Sequence, residues 1–288
     1  MFETFQLRSC DCDLAGYIWE AAETKAVACM VHGLGEYAGN YARLGTILNL
    51  KQITLIGFDL RGHGLSPGKR GDIGDRDIVK KDVDSVLSYA GERYGSAPIV
   101  LCGQSMGGNI VLDYRRTGEL SGRLAGYIAT APWIELCDPM DAAVRLAIRA
   151  LAWFRPDAQL RAKHFRMVDG QKVLIGEPRE GSPAHNRISA RTLSDSDTVA
   201  RMLTKGKLKD RFGGGGKPLI VMQGTGDITC TLGGAQRLAD AEGANCELII
   251  WDGYGHNLFN GKPGSSGLEV IRKMWECVLR LADAHSPE

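Results

Sequence analysis

The sequence lacks a long hydrophobic run. Its first residues, MFETFQLRSCDCD, contain an acidic side chain at position 3 and no apolar stretch of signal-peptide length. No later segment approaches the roughly 20 apolar residues that a membrane-spanning helix requires. We therefore expect a cytoplasmic protein without a secretory or transmembrane segment.

A strong charge of either sign is also absent. The 288 residues contain 35 Lys and Arg against 34 Asp and Glu, which gives a formal net charge of +1. Such a chain has no overall field that would attract a polyanion, so no nucleic-acid partner is predicted. The hydrophobic fraction of 44% is that of an ordinary globular protein, and a chain of this length can bury a sizeable core.

The eight cysteines suggest neither a disulfide framework nor a zinc motif. Cys29, Cys102 and Cys246 each lie inside an apolar, strand-like run, where a small buried thiol packs as a hydrophobic side chain. Cys10 and Cys12 lack the further ligands that a zinc site needs. Free thiols and no metal are therefore predicted.

Short apolar runs alternate with segments of helical periodicity along most of the chain. The runs lie at residues 26–32, 53–60, 98–104, 124–130, 218–224 and 246–252. Runs that are apolar on both faces are typical of a buried parallel sheet, and strand alternating with helix favours an α/β fold with flanking helices. Two earlier runs, 4–9 and 14–21, are joined by a short turn and predict an antiparallel hairpin at the sheet edge.

This alternation stops between residues 135 and 211, a stretch that predicts helices and loops. It is too long for a plain connection inside a compact domain. We therefore predict a core formed by residues 1–134 and 212–288, with residues 135–211 inserted as a cap subdomain. The insert holds fifteen Lys and Arg against ten Asp and Glu, so it is the basic part of the chain.

The stretch IVLCGQSMGGNIVL, residues 99–112, breaks an apolar run at a serine between glycines. Gly103-Gln104-Ser105-Met106-Gly107 matches G-x-S-x-G, the nucleophile elbow, and it has the required strand before it and a helix-capable segment after it. The tight turn is tolerable only if the flanking positions lack side chains that would collide. We therefore predict Ser105 as a nucleophile.

A serine hydroxyl needs a general base that is oriented by a third group. His256 follows the last apolar run, so its loop reaches the same carboxyl edge of the sheet as Ser105, and Asp227 follows the run at 218–224. The order Ser105, Asp227, His256 is the one that this architecture uses. Glu135 is the rival acid, and the rival histidines are His32, His63, His164, His185 and His285.

Acyl transfer also needs N–H donors aimed at the oxyanion that develops in the transition state. One predicted donor is the backbone N–H of Met106, directly after the nucleophile. The other is expected from the loop that begins at His32, where HGLGE lets the backbone approach closely and Leu34 is the candidate.

Five motifs together resemble the α/β-hydrolases, and more narrowly the monoacylglycerol lipase and lysophospholipase-like group that is often labelled serine aminopeptidase. They are HGLGEYAGNY, FDLRGHGLSPGKRG, GQSMGG, GTGD and GYGH, which cover roughly the first 130 and the last 70 residues in the right order. Three positions depart from the commoner pattern: Tyr37 replaces a frequent histidine, Asn40 an arginine or another polar residue, and Gln223 a frequent histidine.

The resemblance implies an eight-stranded, mostly parallel sheet with an inserted, mainly helical cap. It also implies a catalytic triad of Ser105, Asp227 and His256, and an oxyanion hole formed by the backbone N–H groups of Leu34 and Met106. Neither a metal nor an organic cofactor is implied.

The cap contains PMDAAVRLAIRALAWF, residues 139–154, in which Asp141, Arg145 and Arg149 recur every four positions. They form one narrow polar stripe on an otherwise apolar helix. One interpretation is a lid that contacts an acyl chain and, transiently, a lipid or membrane surface. The other is a helix packed in the core of the cap.

These observations lead to three functional hypotheses. The first is a serine carboxylic-ester hydrolase acting on single-chain lipid esters of the monoacylglycerol or lysophospholipid type, or on similar acyl esters. The second is an aminopeptidase or amidase with the same triad, and the third is a binding protein of hydrolase shape without turnover. The sequence determines neither the natural substrate nor the oligomeric state.

Overall fold

The six apolar runs become strands whose ends differ from the predicted ones by at most two residues. The computed structural model describes residues 2–162, 165–168, 171–174, 178 and 180–285, with the backbone alone for 165–168 and 171–174. The strands are β1 (Glu3–Ser9), β2 (Cys12–Trp19), β3 (Ala26–Val31), β4 (Ile53–Phe58), β5 (Ile99–Gln104), β6 (Gly126–Thr130), β7 (Gln159–Arg161), β8 (Phe165–Val168), β9 (Gln171–Leu174), β10 (Arg187–Ser189), β11 (Leu219–Gly224) and β12 (Cys246–Trp251).

Seven α-helices lie in the described part of the chain. They are α1 (Ala42–Asn49), α2 (Arg76–Tyr94), α3 (Met106–Thr117), α4 (Ala142–Phe154), α5 (Ala190–Thr204), α6 (Leu232–Glu242) and α7 (Leu268–Asp283). None of these helices is both long enough and apolar enough to cross a bilayer.

Eight strands form one sheet in the order β1-β2-β4-β3-β5-β6-β11-β12. β2 pairs antiparallel with β1 and with β4, and every other neighbouring pair is parallel. The predictions of a mostly parallel sheet and of an antiparallel hairpin at its edge are therefore confirmed.

Two hydrophobic clusters cover the two faces of this sheet. One face packs against α2, α3 and α6, which contribute Val83, Ile110 and Leu238, and the other packs against α1 and α7, which contribute Leu44 and Met274. Because β5, β11 and β12 run in the same direction, the loops that follow them meet at one edge of the sheet. The predicted site residues Ser105, Asp227 and His256 follow these three strands in the chain, so the fold places them at that edge.

All eight cysteines lie in the described part of the chain, and no disulfide joins any two of them. Cys29 and Cys102 lie in β3 and β5 with no exposed surface. Burial raises the pKa of Cys29 to about 12 and that of Cys102 well above its ordinary value. These two thiols therefore pack as small neutral side chains.

Residues 135–211, the predicted insert, contain α4, α5 and the short strands β7 to β10. β7 pairs antiparallel with β10, and β8 pairs antiparallel with β9. The prediction of helices and loops missed these strands because three or four residues are too few to show the alternation that marks a strand in sequence. Helix α5 adds Val199 and Leu203 to the cluster that also contains Ile110 of α3. The cap boundaries at 135 and 211 stay a prediction.

Candidate active site

Ser105 occupies a sharp turn between a strand and a helix. β5 ends at Gln104 and α3 begins at Met106, so a single residue makes the connection. Its backbone angles are φ 54° and ψ −117°, a conformation that residues with a side chain rarely adopt. The hydroxyl is thereby lifted above the sheet edge beside the first N–H groups of a helix.

Gly103 and Gly107, two residues before and after the serine, lie so close to other backbone atoms that neither position has room for a side chain. A Cβ at Gly103 would overlap the carbonyl oxygen of Gly107, and a Cβ at Gly107 would overlap that of Val31 in β3. Both contacts involve backbone atoms, one in helix α3 and one in strand β3, which cannot move aside without disturbing the hydrogen bonding of the helix or the sheet. The G-x-S-x-G pattern is therefore a packing requirement of the turn.

We expect Gly107→Ala to lower the free energy of unfolding by about 3 kcal/mol or more, since the added methyl group meets rigid backbone. Gly91→Ala is the matched control, because a Cβ at this position of α2 meets no atom within 4 Å. It should stabilise the protein slightly, by about 0.5–1 kcal/mol. Urea unfolding followed by circular dichroism measures both, and equal midpoints for the two variants would contradict the packing argument.

The structure brings the three predicted side chains together. His256 lies in the loop after β12, and its Nε2 is 2.8 Å from the Oγ of Ser105. Its other ring nitrogen, Nδ1, is 2.8 Å from Oδ2 of Asp227, which lies in the loop after β11. A continuous hydrogen-bonded path therefore connects carboxylate, imidazole and hydroxyl.

Asp227 is held by donors on both carboxylate oxygens. Oδ1 accepts the backbone N–H groups of Thr229 at 2.7 Å and Cys230 at 3.0 Å, and Oδ2 accepts the side-chain N–H of Gln223 at 2.8 Å. Burial raises the pKa of this carboxyl. The hydrogen bond and charge of His256, together with the two backbone donors, lower the pKa by more than burial raises it, so the net pKa lies below its ordinary value. Asp227 is therefore ionised at neutral pH.

The pKa of His256 results from opposing effects. Burial lowers the pKa of the imidazole, whereas its contacts with Cys230 and Asp227 raise it, and the net pKa lies well above its ordinary value.

Three side chains of the site are close enough to be compared with a metal site. The ligand atoms of Asp227, Cys230 and His256 lie within 4.8 Å of one another, and no other His/Cys/Asp/Glu group among the described residues meets this criterion. Two of these three side chains are already joined by the hydrogen bond between imidazole and carboxylate.

We expect the activity to fall on the acid side with a midpoint above about 6.5, the ordinary pKa of histidine. The base must be neutral to accept a proton from Ser105, so activity is present above the raised pKa of His256 and is lost as the pH falls through it. A profile of kcat/KM between pH 5 and 9 on a soluble ester measures this midpoint. Circular dichroism at each pH controls for unfolding, and full activity at pH 5.5 would contradict the assignment.

The loop after β3 reaches the nucleophile. A Cβ at Gly33, the residue before Leu34, would lie 3.3 Å from the Cβ of Ser105, so this backbone passes directly beside the serine. Met106 is the first residue of α3, and N–H groups at that end of a helix have no partner within the helix. The placement of Leu34 and Met106 suits the predicted oxyanion hole, and their role stays a proposal.

Glu36 is a residue that sequence reasoning missed. Its Oε2 accepts the backbone N–H of Gly33 at 3.1 Å and the hydroxyl of Tyr41 at 3.0 Å. These bonds tie the loop beside Ser105 to the following turn. The HGLGE motif contains the signal, because a carboxylate three residues after a glycine can accept its N–H in a tight turn.

The rival residues have other partners. Glu135 pairs with Arg237 and accepts the hydroxyl of Thr231, so it does not orient His256. Nδ1 of His32 bonds to the carbonyl oxygen of Gly33, and Nε2 accepts the N–H of Leu60, so both ring nitrogens have backbone partners.

The other described histidines have hydrogen-bond partners outside the proposed triad. His63 contacts the carbonyl of Arg61, and the backbone N–H of His185 donates to Gly35. His285 follows the last helix, with its backbone N–H bonded to the carbonyl of Ala282. His164 lies outside the described residues.

Comparison with known proteins relates the whole arrangement to one family. A family model described as serine aminopeptidase, S33, matches residues 22–263. The monoglyceride lipase of Saccharomyces cerevisiae is 27% identical over 251 residues, covering 83% of this chain and 79% of that protein. The monoglyceride lipase of Homo sapiens is 26% identical over 255 residues, covering 85% and 80%.

Solved structures share the fold over nearly the full length. A soluble variant of monoglyceride lipase from Saccharomyces cerevisiae, in complex with a substrate analog, superposes with a TM-score of 0.79 at 21% identity, over 97% of this chain and 96% of that one. The monoacylglycerol lipase of Paleococcus ferrophilus gives 0.75 at 23% identity, over 96% and 100%. The chain is therefore a member of the serine aminopeptidase S33 family and has the α/β-hydrolase fold of the serine hydrolases.

Proposed function

We propose that the protein is a serine ester hydrolase that cleaves monoacylglycerols, lysophospholipid-like esters or similar single-chain acyl esters through an acyl-enzyme. The observation that carries this proposal is the path of two 2.8 Å hydrogen bonds from Ser105 Oγ through His256 to Asp227. This geometry lets one imidazole collect a proton from the hydroxyl and later return it.

The proposed reaction has two halves. Ser105 Oγ attacks the ester carbonyl while His256 Nε2 accepts its proton, and the N–H groups of Leu34 and Met106 stabilise the oxyanion. The alcohol then leaves with the proton from His256, and the acyl group stays on the serine. In the second half, water gives a proton to His256, attacks the acyl carbonyl and releases the fatty acid, and the serine regains its proton. This chemistry requires neither a metal nor an organic cofactor.

The substrate class is supported by the relatives and by the cap. Proteins similar to this chain from yeast and human are described as monoglyceride lipases. The cap also carries the predominantly apolar helix α4, which suits a protein whose substrate has a hydrocarbon chain. The cytoplasmic location expected from the sequence stays a prediction.

The direct test is a substrate panel with purified protein. Monoacylglycerols and lysophospholipids of graded chain length, p-nitrophenyl esters and aminoacyl arylamides are compared by kcat/KM. We expect monoacylglycerols to be turned over with higher kcat/KM than the arylamides. Arylamide turnover that exceeds ester turnover would favour an aminopeptidase, and failure of a fluorophosphonate probe to label Ser105 would favour a binding protein.

The orientation of α4 supports contact with lipid. No residue of this helix is buried, so the alternative of a helix packed in the core of the cap is wrong. Arg145 of the polar stripe turns inward to Asp197 of α5 at 2.9 Å. Trp153 and Phe154 are 83% and 78% exposed. A helix that exposes several large apolar side chains suits a lipid surface, and we propose that α4 rests transiently on one.

We expect replacement of Trp153 and Phe154 by serine to lower partitioning into phosphatidylcholine vesicles at least threefold, because two large apolar side chains no longer enter the interface. Vesicle flotation measures it, with turnover of a short soluble ester as the check on folding. Leu50→Ser is the matched control, since this leucine is 75% exposed but lies after α1, outside the cap. Equal partitioning of all three proteins would contradict the proposed contact.

A further inference from the structure

Gln223 is a buried polar residue beside the proposed triad. It lies in β11, four residues before Asp227, and its side chain has no exposed surface. Its amide nitrogen Nε2 is 2.8 Å from Oδ2 of Asp227 and 3.1 Å from the carbonyl oxygen of Cys230. Both partners are acceptors, so the NH₂ group, and not the amide oxygen, must face them.

The oxygen that Gln223 contacts is the one that orients the base. Oδ2 of Asp227 accepts Nδ1–H of His256 at 2.8 Å as well as the amide N–H of Gln223. The other oxygen is held by backbone N–H groups that belong to the turn itself. A side chain on the strand and the imidazole therefore share one carboxylate oxygen, which fixes the plane that the carboxylate presents to His256.

The amide is retained at a cost in stability. Its oxygen, Oε1, is buried and has no hydrogen-bond partner in the part of the chain that the structure describes. Burying an unsatisfied polar atom of this kind destabilises the folded protein. An apolar side chain of similar volume would avoid this cost, so packing alone does not account for a glutamine at the end of β11. The hydrogen bond from the amide to Asp227 accounts for it.

We propose that Gln223 is a positioning residue of the triad, which holds the carboxylate of Asp227 in the orientation that receives His256. The proposal rests on the proposed catalytic role of Ser105, Asp227 and His256. Because an amide does not titrate, the orientation is kept at every working pH. A small rotation of the carboxylate would misplace the imidazole relative to Ser105, and a displacement on the order of 1 Å in a catalytic group lowers the rate about 100-fold.

Two substitutions separate positioning from packing. Gln223→Met keeps the approximate volume and removes the donor, so kcat should fall about 10- to 100-fold with KM changed less than threefold. Gln223→Glu places two carboxyl groups in contact, which strongly raises the pKa of one of them. While protonated, the glutamic acid donates as the amide does. Once ionised, it repels Asp227, so the ratio of Gln223→Glu to wild-type activity should fall as the pH rises from 5.5 to 9.

The control is Met222→Leu, the preceding residue of β11, whose side chain packs in the cluster on the opposite face of the sheet. It should keep wild-type kcat, and thermal unfolding verifies that every variant is folded. A Gln223→Met enzyme with kcat within twofold of wild type would overturn the proposal. So would a loss in Gln223→Glu that is independent of pH and parallels its melting temperature. If Gln223→Met is impaired and Gln223→Glu keeps wild-type kcat from pH 5.5 to 9, the glutamic acid has stayed protonated over this range and supplies the same donor as the amide. That result also supports the proposal.

Ser105→Ala, assayed beside these variants, distinguishes the two possible failures. An inactive Ser105→Ala together with a fully active Gln223→Met removes only the positioning role. An active Ser105→Ala removes the proposed function itself. Gln223 contacts no reacting atom and is proposed to act through Asp227 and His256. Fluorophosphonate labelling of Ser105 depends on the same base, so its rate should fall in Gln223→Met as well.

Discussion

Replacement of Ser105 by alanine is expected to lower kcat about 10⁴- to 10⁶-fold. In the proposed mechanism Ser105 Oγ forms the covalent acyl-enzyme, and the substitution removes this atom while it leaves the proposed oxyanion donors in place. The residual rate is then the one that binding and electrostatic stabilisation supply without a nucleophile. Turnover of p-nitrophenyl butyrate and fluorophosphonate labelling measure the loss.

Folding of the Ser105→Ala variant should be nearly unaffected. The serine is half-buried, and its hydroxyl hydrogen-bonds to His256, so an alanine leaves no large cavity. Ser85→Ala is a matched control, since this hydroxyl donates to the carbonyl of Lys81 within α2, away from the site. Activity of Ser105→Ala within tenfold of wild type, with labelling at another residue, would contradict the proposed mechanism.

Replacement of Asp227 by asparagine is expected to lower kcat about 10⁴-fold. An asparagine has one accepting oxygen, whereas both oxygens of Asp227 accept N–H groups. The oxygen cannot serve the backbone of Thr229 and Nδ1–H of His256 together. If its NH₂ group faces the imidazole, Nδ1 must become an acceptor and the proton moves to Nε2. That tautomer cannot accept the proton of Ser105.

The kcat of Asp227→Asn on a soluble ester tests this argument, and Glu135→Gln is its control. Glu135 is the other acid that sequence reasoning considered, and it pairs with Arg237 instead of a histidine. We expect Glu135→Gln to keep activity within about threefold, because a partly exposed ion pair contributes little. A larger loss in Glu135→Gln than in Asp227→Asn would reverse the assignment of the acid.

Much of the backbone could be predicted from local sequence patterns. Runs such as 53–60 and 218–224 are apolar on both faces, and a segment of that composition has few alternatives to a buried strand. The glycines at 103 and 107 likewise predicted the turn at Ser105. The turn gives Ser105 a positive φ and brings backbone atoms so close to positions 103 and 107 that only glycine fits there. The inward direction of Arg145 in α4 was not predictable, because helical periodicity identifies a polar stripe but not the surface it faces.

The sequence by itself determined the sheet, the turn that exposes Ser105, and the identity and order of its acid and base candidates, because each depends on neighbouring residues and on hydrophobic periodicity. Only the tertiary structure decided which side chains meet. Ser105 and His256 are 151 positions apart, and Asp227 and His256 are 29 apart. The contacts of Gln223 with Asp227 and of Glu36 with Gly33 are local, four and three positions apart. They depend on the turn that each loop adopts in the folded protein, and hydrogen bonds of this kind leave no periodic pattern in a single sequence.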